Sequence, residues 1–128
     1  MVQYLSSEWV ARLAELGAGL PEVPGATATV EVVVPGSPTG EVRYVVRYVD
    51  GRVAEASLGA ADGPDVSLTT KYADAVRLLR GDLDLNAEFM SGRMKVAGST
   101  GRLLDVLSLD GTPEHRAMRE ELAAATDT

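Results

Sequence analysis

The chain reads as an α+β protein, a five-stranded, mostly antiparallel sheet with its helices packed on one face. Three observations predict this. Between Thr27 and Leu58 apolar residues recur at every second position in three segments separated by turn signals, the period of strands with one buried face. Between Val66 and Leu107 the order is strand, helix, short helix, strand, helix, and almost every position able to face inward is aliphatic, Phe or Met. The polar strand positions (Thr27, Thr29, Glu31, Arg43, Arg47, Arg52, Glu55, Ser67, Thr69, Arg93, Lys95) make one solvated sheet face. The other face is then left for all the helices.

Ser6 or Ser7 caps a first helix whose Trp9, Leu13 and Leu16 fall at i, i+4 and i+7, opposite Glu8, Arg12 and Glu15. Gly17, Gly19, Pro21 and Pro24 stop it. Ala28, Val30, Val32 and Val34 then share the inner face of a strand, and Pro35 to Gly40 turns the chain. Val42, Tyr44, Val46 and Tyr48 alternate with Arg43, Val45, Arg47 and Val49 in the next strand, and Asp50-Gly51 is a two-residue hairpin signal. The third strand, Arg52 to Leu58, has an ambiguous parity. Placing Ala54 and Ala56 inward keeps Glu55 in water. Two such small side chains on a covered face leave volume that a guest molecule could occupy.

Val66 and Leu68 point inward in a fourth strand, which runs into a helix near Thr70 that ends at Gly81. Its apolar set (Tyr72, Ala73, Ala75, Val76, Leu78, Leu79) is wider than packing on one sheet requires, which frees one side to face a cavity. A short helix from Leu85 to Ser91 presents Phe89 and Met90, and Gly92 turns the chain. Met94 and Val96 alternate with Arg93 and Lys95 in a fifth strand. Ser99 caps a helix bearing Leu103, Leu104, Val106 and Leu107, closed by Asp110-Gly111. Thr112-Pro113-Glu114 starts a last, highly charged helix with a thin stripe of Met118, Leu122 and Ala125. That helix is expected on the surface, and the tail after it as a frayed end.

At 128 residues the chain has the size of one domain and can bury a real core. Its net charge of −7 opposes nucleic-acid backbones and anionic lipid surfaces, so neither is expected as a partner. With no cysteine there is no disulfide, thiolate metal site or cysteine nucleophile. The amino-terminal residues have no basic patch followed by an apolar run, and about 18 uninterrupted apolar residues occur nowhere. A soluble cytoplasmic protein without stable membrane insertion is the expectation; oligomeric state is not readable.

The D-V-S-L-T strand from Asp65, the helix ending L-L-R-G at Gly81, the F-M-S-G turn from Phe89 to Gly92 and the strand R-M-K-V-A-G are similar to those of the sterol carrier protein 2 (SCP-2-type) domain family. The first half matches in element order alone. The resemblance implies one SCP-2-like domain over residues 1–128 with an apolar tunnel between sheet and helices, holding a sterol, fatty acid or fatty acyl thioester. It implies no catalysis; the residues themselves suggest no cofactor and no metal. The family's tunnel contribution from the strand and helix around the Phe-x-x-Gly turn maps to Phe89, Met90, Met94 and Val96. With the inward positions above, the expected ligand contacts are these four together with Val46, Ala54, Ala56, Leu68, Val76, Leu79, Leu103, Leu104 and Leu107. Thr112 to Ala125 is the candidate lid. The Ser-Lys-Leu ending of some eukaryotic members is missing, so no peroxisomal address is implied.

Other readings are weaker. Trp9 could guard the tunnel mouth, although its stripe with Leu13 and Leu16 fits ordinary packing. Tyr44, Tyr48 and Tyr72 could offer hydroxyls to a head group or simply find partners in the core. His115, near Asp110 and Glu114, suggests a proton-transfer site, but an exposed helix terminus is the expectation and no G-x-S-x-G occurs. The DLDLN run from Asp82 fails as a calcium loop, because Ala87 and Arg93 stand where Gly and Glu are needed. A structural or protein-interaction module with a filled core is the alternative to a lipid carrier.

Overall fold

The computed structural model describes residues 1–128. The elements run β1 (Val2–Gln3), α1 (Ser7–Gly17), β2 (Ala28–Ser37), β3 (Gly40–Val49), β4 (Arg52–Leu58), β5 (Val66–Thr69), α2 (Tyr72–Leu79), α3 (Leu85–Ser91), β6 (Lys95–Gly98), α4 (Thr100–Asp110), α5 (Pro113–Ala124) and β7 (Thr126–Asp127). Five strands form one sheet in the order β4-β3-β2-β5-β6, antiparallel except where β2 meets β5. The expected α+β sheet is therefore present. The parallel pair arises because the chain, having left β4 at one edge, returns past β2 before β5 can pair.

The helix starts follow side-chain chemistry. The hydroxyls of Ser6, Ser99 and Thr112 accept from the backbone N–H groups of Trp9, Arg102 and His115, and the Asp84 carboxylate accepts from Ala87. Asp50 and Gly51 both take positive φ, 48° and 84°, which gives the β3–β4 hairpin the twist its strands need.

Strand β4 corrects the parity expected for it. Tyr48 pairs with Val53 and Arg47 with Glu55, so Ala54 is the extra residue of a bulge. Val53 is buried, whereas Ala54 is exposed. The bulge lets Val53 and Ala56 both serve the inner side without burying Glu55, and it removes the expected void at Ala54. Val53 lies directly against Gly17, where a Cβ would overlap its side chain, so α1 sits tightly on this edge strand.

The outer face is less open than expected. The buried carboxylate of Glu31 accepts from the Ala61 N–H at 2.9 Å and the Ser67 hydroxyl at 3.3 Å, with Arg43 Nη1 at 3.7 Å. The loop after β4 thus folds back on the sheet and satisfies a charge that the alternation had placed in water. The C-terminal tail is also ordered by pairing. Val2 pairs with Thr126 in a short parallel ribbon, and Tyr4 N–H donates to the Asp127 carbonyl at 2.9 Å. This ribbon ties the far end of α5 to the chain's start, and α5 packs on α1, α2 and α4 through buried His115, Met118 and Leu122. It is a core helix, contrary to the surface position expected of it.

Gly98 closes the β5–β6 register against Val66 at φ 110°, and a Cβ there would strike the Asp65 carbonyl. Gly98→Ala should cost about 2–3 kcal/mol by strain and overlap. The helical Gly101 has open space around it, and Gly101→Ala should stabilise by about 0.5 kcal/mol. Urea unfolding of both variants checks the contrast.

Candidate functional site

Between the inner sheet face and the helices lies a cavity of about 170 Å³. Its floor is the sheet: Val30, Val32 and Val34 of β2, Tyr44, Val46 and Tyr48 of β3, and Leu68 of β5. Its roof comes from Trp9 and Leu13 of α1, Ala75, Leu78 and Leu79 of α2, Val106 of α4, and Met118 and Leu122 of α5. Leu83, Leu85 and Met94 close a side. Apart from the two tyrosines, the floor carries nothing longer than Leu.

At one end four aromatic rings cluster between layers. Trp9 meets Tyr44 edge-on at 5.3 Å and Tyr4 at 4.9 Å, and Tyr4 in turn lies 5.9 Å from Tyr72. Such T-shaped contacts are favourable beyond their buried area. Burial pushes the Tyr44 and Tyr48 hydroxyls upward in pKa, so both are hydrogen-bond donors at any physiological pH.

Another part of the wall is polar. Arg119 Nη1 donates to Asp110 Oδ1 at 2.8 Å, and His115 Nδ1 stands 3.6 Å from the same oxygen, too far for a hydrogen bond. All three residues line the cavity. Tyr48 is close enough for Asp110 and Arg119 to act on its hydroxyl in opposite directions. His115 Nδ1, Trp9 Nε1 and the Thr70 hydroxyl, all on the cavity wall, are buried without a hydrogen-bond partner. His115 also lines a smaller outer pocket with Leu20, Pro21, Val23 and Glu114, and so stands between that pocket and the cavity. No group of three or more His, Asp or Glu side chains is placed to hold a metal ion.

A model of the SCP-2 sterol transfer family matches residues 12–109. The chain belongs to the SCP-2 sterol transfer family. Among solved structures it resembles a crystal structure of sterol carrier protein 2, with TM-score 0.74 and 16% identity over 92% of this chain and 98% of that one. The solution structure of a conserved hypothetical protein from Thermus thermophilus matches with TM-score 0.68 and 16% identity, over 96% and 92% of the two chains. Palmitated SCP2L2 from Aedes aegypti matches with TM-score 0.61 and 14% identity, over 84% and 92%. At these identities the likeness speaks for the fold. None of the curated proteins matches the chain.

Within this SCP-2 fold, four of the positions expected to touch a ligand lie on the cavity wall: Val46, Leu68, Leu79 and Met94. Ala56, Val76, Phe89, Val96 and Leu107 are half-buried against the core but off the wall. Leu103 is fully in the core, and on α4 its neighbour Val106 reaches the cavity instead. Ala54, Met90 and Leu104 face solvent, the last two at 75% and 56% exposure, so the expectation fails there. The reasons are geometric. The bulge expels Ala54. Helix α3 turns Leu85, Glu88 and Phe89 inward, which sends Met90 outward. Helix α4 buries Leu103, Val106 and Leu109, a stripe that excludes Leu104.

His115 corrects the expectation of an exposed helix terminus, being only 8% exposed. With Met118 and Leu122 it falls at i, i+3 and i+7, the helical signal that finds it once a histidine is allowed on the inner stripe. Burial lowers its pKa from 6.5; Asp110 opposes the shift and Arg119 adds to it. Asp110 is raised by burial, against the pull of His115 and Arg119.

The unfolded chain protonates this histidine near 6.5, while the folded chain resists until lower pH. Stability should therefore fall as pH drops below that value, by at most about 1.4 kcal/mol per pH unit, until the folded pKa is passed. Asp110 acts in the other direction toward lower pH, because its folded form takes up a proton before the unfolded one. His115→Gln should flatten the loss just below pH 6.5, as read by urea unfolding across that range.

Proposed function

We propose that this chain binds one apolar molecule in the cavity between sheet and helices and carries it without chemical change. The observation that supports this is the cavity itself, with its largely aliphatic wall between the inner sheet face and the helices. Apolar volume left unfilled between packed layers forfeits contacts and lowers stability. A guest that fills it recovers dispersion contacts along every wall residue.

Size favours a flexible acyl chain over a rigid sterol. The volume is near the roughly 150 Å³ of an engineered apolar cavity that takes up benzene. A four-ring sterol needs the helices to separate much further than a chain that can thread past Leu13, Leu79 and Met94. The methionine on that wall accommodates varied shapes. For carriage without catalysis the support is membership of the SCP-2 sterol transfer family. Helix α5 supplies the candidate lid, and its opening must break the Met118 and Leu122 contacts as well as the β1–β7 ribbon.

Val32→Phe places a ring over the cavity floor. Binding of a fluorescent fatty acid should weaken by at least about tenfold while the melting temperature holds or rises, since the ring fills volume that is empty. Unchanged affinity would remove the cavity as the binding site, and protein from which organic extraction never recovers lipid would count against carriage.

A further inference from the structure

We propose that the Asp110–His115–Arg119 cluster is a recognition site for a neutral polar end, a hydroxyl or ester carbonyl, on the molecule held in the cavity. The inference rests on the cavity being the binding site and adds the chemistry of the ligand's end. Three observations carry it.

First, a polar cluster on an otherwise aliphatic wall is costly unless it is satisfied, and this one is satisfied only in part. The Arg119–Asp110 pair is closed at 2.8 Å, but His115 Nδ1 is buried and has no partner. The ring nitrogen and the carboxylate oxygen are 3.6 Å apart and belong to residues that line the same cavity. A hydroxyl lodged beside them could accept from one group and donate to the other, and a carbonyl could accept from the ring N–H.

Second, the local charge refuses an anion. Arg119, the cation facing this cluster, is already paired with Asp110. Asp84 is close enough to act on Asp110 with the same sign, and Glu114 lines the outer pocket beside His115. A free carboxylate placed here loses hydration and finds no unpaired cation in the cluster to offset that loss.

Third, the position suits the end of a chain. His115 lies on the wall of both the cavity and the second pocket of about 150 Å³, so a molecule whose tail occupies the apolar part and whose end reaches toward that pocket meets this residue. The Tyr48 hydroxyl, held as a donor by burial and by Asp110, stands at the same place.

The test compares dodecane, dodecanol, methyl dodecanoate and dodecanoate at neutral pH, with binding read from the emission of Trp9, the single tryptophan, on the cavity wall. Dodecanol and the ester should bind about tenfold tighter than dodecane, the worth of one hydrogen bond in such a site, and dodecanoate should bind at least about tenfold weaker than dodecanol. In His115→Phe the advantage of dodecanol over dodecane, both measured on the same variant, should shrink to about threefold or less. Dodecanoate binding as tightly as dodecanol to the unmodified protein would overturn the assignment, whether or not the variant folds. So would an unchanged dodecanol advantage in the variant. Failure of all four ligands, dodecane included, would instead overturn the cavity as a binding site.

Discussion

Everything in this molecule depends on the helical layer not closing onto the sheet. At one end Trp9 stands edge-on against Tyr44 and Tyr4, a stack too tall to collapse. Along the middle of the sheet the inner side chains are Val30, Val32, Val34, Val46 and Leu68, too short to fill the height that the aromatic rings impose. Helix α1 is meanwhile pinned over the edge strand, where Gly17 admits Val53. Short floor residues between fixed supports leave a gap, and close packing elsewhere prevents the structure from relaxing into it.

The polar end of that gap follows a second constraint. Helix α4 ends at Asp110 and α5 begins after Thr112, so a tight connection brings Asp110, His115 and Arg119 together at the junction of two core helices. A buried ion pair of this kind contributes little net stability, because desolvation offsets attraction. Its consequence is electrostatic. It places a balanced pair and an unsatisfied ring nitrogen beside aliphatic walls, which gives the cavity a polar patch within its apolar lining. The ribbon between Val2 and Thr126 holds α5 in register with α1 while this arrangement persists.

The alternation of β2, β3 and β5, the caps at Ser99 and Thr112, the turn at Asp50-Gly51 and the SCP-2-type run from Asp65 to Gly98 are all legible in the chain, because each is a local pattern. The site is legible only in part. Val46, Leu68, Leu79 and Met94 follow from period and family likeness. Met90 and Leu104 do not, since an apolar residue in a short helix is assigned to a face only by what packs on that helix. His115 is polar and therefore reads as outward, a rule that holds for most surfaces and fails where a polar group lines a cavity. The bulge at Ala54 changes parity through one extra residue, which no alternation announces.

By itself the sequence determined the class of the fold, the order and ends of its main elements, and the excess of apolar surface, because periodicity, capping and composition act over a few neighbouring residues. Only the tertiary structure decided that β5 enters parallel to β2, that the tail pairs with Val2, that α5 belongs to the core, and that a cavity with a polar patch in its wall lies beneath it. These are outcomes of contact between residues far apart in the chain. A cavity in particular is the shape left between many side chains, and no single segment encodes it.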